Sequence, residues 1–109
     1  MKRGDLVTIA MQGDYGKPRP ALVIQADVFD ALPSLTVLQI TSEIVPAHLL
    51  RILVEPSDAN GLRKQSQIMV DRAMTIPRQK AGAVFGQLEP ERLREVSRAL
   101  AAFLDLEVV

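Results

Sequence analysis

Polar and apolar residues alternate along Asp5-Leu-Val-Thr-Ile-Ala10, the two-residue period of a half-buried β-strand. The stretch Met11-Gln-Gly-Asp-Tyr-Gly-Lys-Pro-Arg-Pro20 holds two glycines and two prolines, the chemistry of a loop. Pro20-Ala-Leu-Val-Ile-Gln-Ala26 is nearly continuous apolar sequence, as in a central strand, with Pro20 at its first position where no ladder N–H is required. Asp27 heads one helical turn to Leu32 as its cap. Further strands are predicted over Leu35–Ile40, Leu49–Val54 and Ser66–Asp71, with a short last one over Ala83–Phe85. The run Pro56-Ser-Asp-Ala-Asn-Gly61 is a turn. The period then changes. Leu93, Val96, Leu100, Phe103 and Leu104 recur at three-and-four spacing, and Pro90 suits a first helical turn, so an amphipathic helix is predicted over Glu89–Leu106. Arg92, Arg94, Glu95 and Arg98 fall mainly off its apolar stripe.

Short strands joined by turns and closed by one helix imply a mainly β fold, a small antiparallel barrel or strongly bent sheet with a C-terminal amphipathic α-helix. At 109 residues, with 48% apolar and 24% charged positions, residues 1–109 form a single globular domain with a real core. Absence of cysteine excludes a disulfide framework and thiolate chemistry. No apolar run approaches a membrane span, and no apolar segment follows Lys2-Arg3, so a cytoplasmic protein with no membrane partner is expected.

Charge refines this picture. Thirteen basic and thirteen acidic residues give a net charge of zero, which argues against tight binding to any polyanion by bulk charge. The total hides a gradient: Asn60 to Lys80 carries Arg63, Lys64, Arg72, Arg78 and Lys80 against Asp71 alone, or +4, while Glu89–Val109 is −2. With only Tyr15, Phe29, Phe85 and Phe103 as aromatics, recognition that stacks base after base is excluded.

The single histidine, His48, lies among apolar residues and reads as structural or surface-exposed. No His/Asp/Glu cluster has metal-ligand spacing, and no Gly-rich phosphate loop precedes a helix, so neither metal nor cofactor is expected. Lys17-Pro-Arg-Pro20 places Arg19 on a segment stiffened by proline on both sides, as a preorganised cation or a solvent-exposed one. Thr41-Ser42 ends a strand with two hydroxyls, which either hold a phosphate oxygen or cap a turn.

Together, several pieces carry a family resemblance: Lys2-Arg-Gly-Asp-Leu-Val7, Arg19-Pro-Ala-Leu-Val-Ile24, the strand ending in Thr41-Ser42, Glu55-Pro-Ser-Asp-Ala-Asn-Gly-Leu62, Val70-Asp71-Arg72 with Thr75, and a helix after Gly86-Gln-Leu. In this order the chain resembles the MazF/PemK toxins of bacterial toxin–antitoxin systems over nearly its whole length. The resemblance implies an SH3-like β-barrel that forms a homodimer. It implies metal-independent, sequence-selective cleavage of single-stranded RNA, mainly messenger RNA, and neutralisation by a cognate antitoxin. The family's catalytic Arg falls on Arg19 and its catalytic Thr on Thr41, and an acidic residue seen in some members falls on Asp14. Some PemK members use an Arg-x-Asp pair and a loop histidine, where this chain has Met69 before Asp71, and Gly13. These residues therefore permit the Arg/Thr version of the mechanism.

In that mechanism the RNA's own 2′-OH attacks the adjacent phosphate, so the enzyme stabilises charge and moves protons. Arg19 offers a planar fork to two phosphate oxygens and Thr41 a neutral donor, with Ser42 assisting. Asp14 accepts the 2′-OH proton or orients Arg19. Bases are expected to meet the loop Met11–Lys17, with Tyr15 stacking and Lys17 alongside, while Arg72, Arg78 and Lys80 hold backbone phosphates. Two other readings use the same scaffold: a CcdB-like gyrase-binding toxin, whose C-terminal Trp this chain lacks, and a non-catalytic SH3-like binding module.

Overall fold

A computed structural model of the protein describes residues 1–10, 17–46 and 49–107. The predicted roles of Asp14, Tyr15 and His48, and of most of the first loop, lie outside these residues. Six strands run β1 (Asp5–Ala10), β2 (Pro18–Val23), β3 (Ser34–Thr41), β4 (Arg51–Val54), β5 (Ser66–Pro77) and β6 (Ala81–Gln87), and the helix α1 (Pro90–Phe103) closes the chain. They form one antiparallel sheet in the order β4-β5-β3-β2-β1-β6. β4 and β6 remain its two edges, so the sheet curls without closing and is a barrel only loosely.

The curl has a local cause in β5. Its register against β3 slips between Leu38 and Ile40: Leu38 pairs with Ala73 but Ile40 pairs with Ile68. Such a bulge bends a strand and adds twist. It lets β5 continue to Pro77, six residues past its predicted end, and serve both β4 and the whole of β3. Each face of the curled sheet holds its own core. Leu6, Leu22, Leu38, Ile68 and Val70 pack with Val96 and Ala99 of α1. On the other face Val7, Ile9, Val23, Leu35 and Val37 are covered by Met74, Ile76 and Ala81. Each predicted strand is present, with shifted bounds: β2 runs Pro18–Val23 where Pro20–Ala26 was expected, and β4 starts at Arg51 and not at Leu49.

Three further local expectations differ. Asp27 does not cap the short turn Asp27–Phe29. Ala26 precedes that turn without a side-chain bond, and the Asp27 carboxylate instead accepts from the Arg3 backbone N–H at 2.7 Å. α1 ends at Phe103, and of its predicted stripe Val96 is buried and Leu93 and Leu100 partly so. Phe103 and Leu104 are 47% and 55% exposed, because the helix outruns the core it packs on. The last strand spans Ala81–Gln87, wider than Ala83–Phe85, because β1 pairs with it from Asp5 to Ile9.

Candidate active site

β2 begins with two prolines in three residues, and neither supplies an N–H. The β2–β3 ladder accordingly ends at Ala21 opposite Gln39, although β1 continues to pair with β2 out to Pro18. Carried two residues further, the β2–β3 register sets Arg19 across from Thr41. The strands part here, and a groove of about 550 Å³ opens with Arg19, Thr41 and Ser42 on its wall. The segment after the Pro56–Gly61 turn also lines the groove, with Leu62, Arg63 and Lys64.

The groove carries three cations, Arg19, Arg63 and Lys64, and no carboxylate among its described lining residues. Arg19 is exposed on its proline-flanked segment. Thr41 takes the turn-capping role that the sequence left open and keeps a proton free to donate. Its Oγ1 accepts from the Glu43 backbone N–H at 3.0 Å, which shapes the turn. That bond uses a lone pair and leaves the hydroxyl proton to donate. Buried Gln67, opposite Thr41 on β5, pins the following loop by accepting from the Val45 N–H at 3.2 Å and donating to the Val45 carbonyl at 2.9 Å.

Not all the expected cations meet here. Lys17 adjoins Pro18 of the groove wall. Arg72 is exposed in the slipped segment of β5 and Lys80 on the turn before β6; neither lines the groove. Arg78 follows Pro77, which pairs with Ser34 at the far end of β3, seven residues or about 23 Å of strand from Thr41. Its guanidinium donates to the carbonyls of Leu32 at 2.9 Å and Ser34 at 3.4 Å, bracing the loop before β3. Segment charge alone could not separate these roles, since Arg63 and Arg78 sit on one basic stretch but at different ends of the sheet.

Sequence reasoning also missed Thr8 and Phe85, which line the groove from β1 and β6. Phe85 is a ring placed where the sequence offered only Tyr15. A second oversight is the support of the Arg63 wall. Asn60 is fully buried, and its Oδ1 accepts from the backbone N–H groups of Ser57 at 3.0 Å and Leu62 at 2.9 Å. Its Nδ2 donates to the Glu55 carbonyl at 2.9 Å and to Glu89 Oε1 at 3.1 Å, just before α1. The Ser57 hydroxyl donates to Glu89 Oε2 at 2.6 Å and is the main cause that holds the Glu89 carboxyl below the usual range, with Asn60 adding and burial opposing. The residue types Ser, Asn and Glu at 57, 60 and 89 gave the only available signal, and it read as an ordinary turn.

Among the described residues no three His, Cys, Asp or Glu side chains cluster as metal ligands, and no helix is long and apolar enough to cross a membrane.

A curled antiparallel sheet with one α-helix and a cationic groove defines a small, mainly β protein. The chain belongs to the PemK-like, MazF-like toxin family of type II toxin–antitoxin systems, whose sequence model matches residues 2–104. It is 44% identical over 107 residues to the probable endoribonuclease MazF of Mycolicibacterium smegmatis, covering 97% of this chain and 98% of that one. The solved Mycobacterium tuberculosis toxin MazF-mt6 is 27% identical, with a TM-score of 0.77 over 94% of this chain and 99% of that one. A mycobacterial endoribonuclease solved with its cognate antitoxin shares the fold at 18% identity, with a TM-score of 0.83 over 100% and 99% of the two chains.

Proposed function

We propose that this protein is an endoribonuclease toxin that cleaves single-stranded RNA by attack of the 2′-OH on the adjacent phosphate. The observation that carries this reading is the groove in which Arg19 faces Thr41 across parted strands, lined by three cations and no described carboxylate. The name of the M. smegmatis relative supports the same activity.

In the reaction the O2′–P bond forms and the P–O5′ bond breaks, leaving a 2′,3′-cyclic phosphate and a 5′-OH. The 2′-OH gives up one proton and the departing O5′ receives one. Extra negative charge develops on the phosphate oxygens between these events. Arg19 meets that charge with two parallel N–H donors, and the Thr41 hydroxyl donates a third hydrogen bond. Arg19 stays protonated throughout, so its part is charge stabilisation. Asp14 takes the 2′-OH proton or holds Arg19 in place, and Tyr15, Lys17 and Ser42 contact the nucleotides beside the cut. Positive charge from side chains makes a metal ion unnecessary.

The family reading also gives the protein a cognate antitoxin and a homodimeric state in the bacterial cytoplasm. Exposed Phe103, Leu104 and Leu106 at the end of α1 supply apolar surface for such contacts. Sedimentation at micromolar concentration should show a species of twice the 12.0 kDa chain mass.

The direct test is incubation with a long RNA in EDTA, followed by mapping of the ends. Discrete cuts with cyclic-phosphate and 5′-OH termini are expected. Uncut RNA, or cutting only after a divalent ion is added, overturns the reading. Trapped gyrase–DNA breaks with intact RNA would assign the chain to the gyrase-binding class instead.

A further inference from the structure

We propose that Arg63 and Lys64 form a second phosphate subsite, holding RNA backbone next to the scissile phosphate, and that the Asn60–Glu89 contact sets its position. This rests on reading the groove as an RNA-cleaving site.

The charge balance of the groove is the first argument. A scissile phosphodiester carries one negative charge, and Arg19 with Thr41 suffices to meet it. Arg63 and Lys64 line the same groove and have no carboxylate within ion-pair reach among the described residues. Two like charges adjacent in sequence repel, and they are relieved when an anion arrives. Single-stranded RNA brings one further charge with each nucleotide, which matches cations placed beside the catalytic pair.

The mounting of these cations is the second argument. An exposed loop is normally a poor platform for long side chains, because ordering it costs entropy. This loop is wound around Asn60, whose side-chain hydrogen bonds reach Glu55, Ser57, Leu62 and Glu89, and whose N–H donates to the Ser57 hydroxyl at 3.1 Å. The Gly61 N–H also donates to the Ser57 carbonyl at 2.9 Å. The chain then leaves the turn through Gly61 at a φ of +69°, so close to β6 that an added Cβ would lie 2.6 Å from the Phe85 carbonyl oxygen. Downstream, the Ser66 hydroxyl donates to the Lys64 carbonyl at 2.9 Å. Arg63 and Lys64 are therefore held between two anchored points, while their charged ends remain exposed to the groove. Glu89 is a positioning residue here, acting through Asn60 and Ser57 on a subsite it does not touch.

The test uses the full chain with Arg63→Ala and Lys64→Ala combined, at exposed positions whose loss leaves the fold intact. Steady-state cleavage of a long RNA should show KM raised about tenfold, the size of one lost charge-assisted contact, with kcat nearly unchanged. The slope of log affinity against log salt should fall by about 0.7 for each phosphate released. Ser57→Ala, which removes the bond to Glu89 and the acceptor of the Asn60 N–H, should raise KM more modestly in the native chain. It should add nothing in the double variant, whereas a merely structural effect would add. An unchanged KM and salt slope in the double variant, or additive Ser57→Ala effects, overturns the subsite. So does a loss confined to antitoxin binding. Should the native protein leave RNA uncut, the reading of the groove fails on its own. Fluorescence anisotropy with single-stranded RNA then still decides the subsite through the same change in salt slope.

Discussion

Arg51 on β4 stands directly across from Met69 on β5, and its guanidinium is bonded to the Asp71 carboxylate two residues further along. The Arg-x-Asp arrangement of some PemK members would place both charges on the later strand. Here Met69 fills the Arg position, and a guanidinium reaches Asp71 from the neighbouring strand. The pairing engages Asp71 at the β4 edge, away from the groove, and holds that short edge strand to β5.

Arg51→Met should therefore weaken stability while leaving RNA cleavage near its native rate. The pair is partly exposed, with side-chain exposures of 14% and 27%, so the expected loss is only about 1 kcal/mol. The Arg51 hydrogen bond is the main cause that holds the Asp71 carboxyl below its usual range. A carboxyl depressed in the folded state contributes stability above its unfolded pKa and loses it as pH falls through the folded one. Urea denaturation should thus separate native and Arg51→Met proteins at pH 7. The gap should begin to narrow below about pH 4 and close as the folded carboxyl is protonated.

Glu89→Gln tests the other carboxylate of this kind. Gln retains one acceptor but turns an amide donor toward the Ser57 hydroxyl or Asn60 amide, which are already donors. Loss of a charged acceptor at a partly buried site costs about 1–3 kcal/mol. Because the Glu89 carboxyl is held below its usual range, the same sign applies. The cost is full at neutral pH and fades as acid protonates the native carboxyl. Equal urea midpoints at pH 7 would remove this contact from the stability of the fold.

Strand alternation was legible because β1 and β3 feed two cores with alternate residues, and α1 was legible from its three-and-four spacing. The meeting of Arg19 with Thr41 was legible through family likeness. Its physical cause, two prolines ending a ladder, could also be read from Pro18 and Pro20. The distribution of cations could not. Arg63, Arg72, Arg78 and Lys80 are near one another in sequence, but the twelve-residue strand β5, slipped at Arg72, sets Arg63 before one end of it and Arg78 and Lys80 beyond the other. That slip is set by long-range pairing with β3, which no local pattern encodes. Asn60 was hidden for a related reason: its partner Glu89 is 29 residues away.

Two glycines of β6 should respond very unequally to the same substitution. A Cβ on Gly86 would lie 2.1 Å from the Asn60 carbonyl oxygen and 2.4 Å from its carbon, with no side chain to yield. The backbone of the turn must move, and with it the bonds around Asn60, so Gly86→Ala should cost about 3 kcal/mol or more. A Cβ on Gly82 would meet chiefly the Thr8 hydroxyl, also at 2.1 Å, and that oxygen can rotate away about χ1. Gly82→Ala should cost about 1 kcal/mol. Thermal melts of the two variants should be well separated, and equal melting points would show that the Asn60 turn yields freely.

Arg19 and Thr41 should differ in how far they can be replaced. Arg19→Ala removes an exposed side chain, so the variant should fold with a native melting point. It loses the charge that meets the phosphorane, and kcat should fall about 10²–10³-fold, the effect of deleting one preorganised donor of this kind. Arg19→Lys keeps the charge but offers a single point of contact in place of a planar fork. It should recover only part of the rate. Thr41→Ser keeps both the acceptor for the Glu43 N–H and the proton to donate, and should stay close to native. Thr41→Val keeps the shape and loses both. It should lower kcat and also loosen the turn that carries Ser42, so KM should rise as well. If Thr41→Val and Thr41→Ser cleave RNA alike, the hydroxyl serves only the turn, and Arg19 meets the phosphate without it.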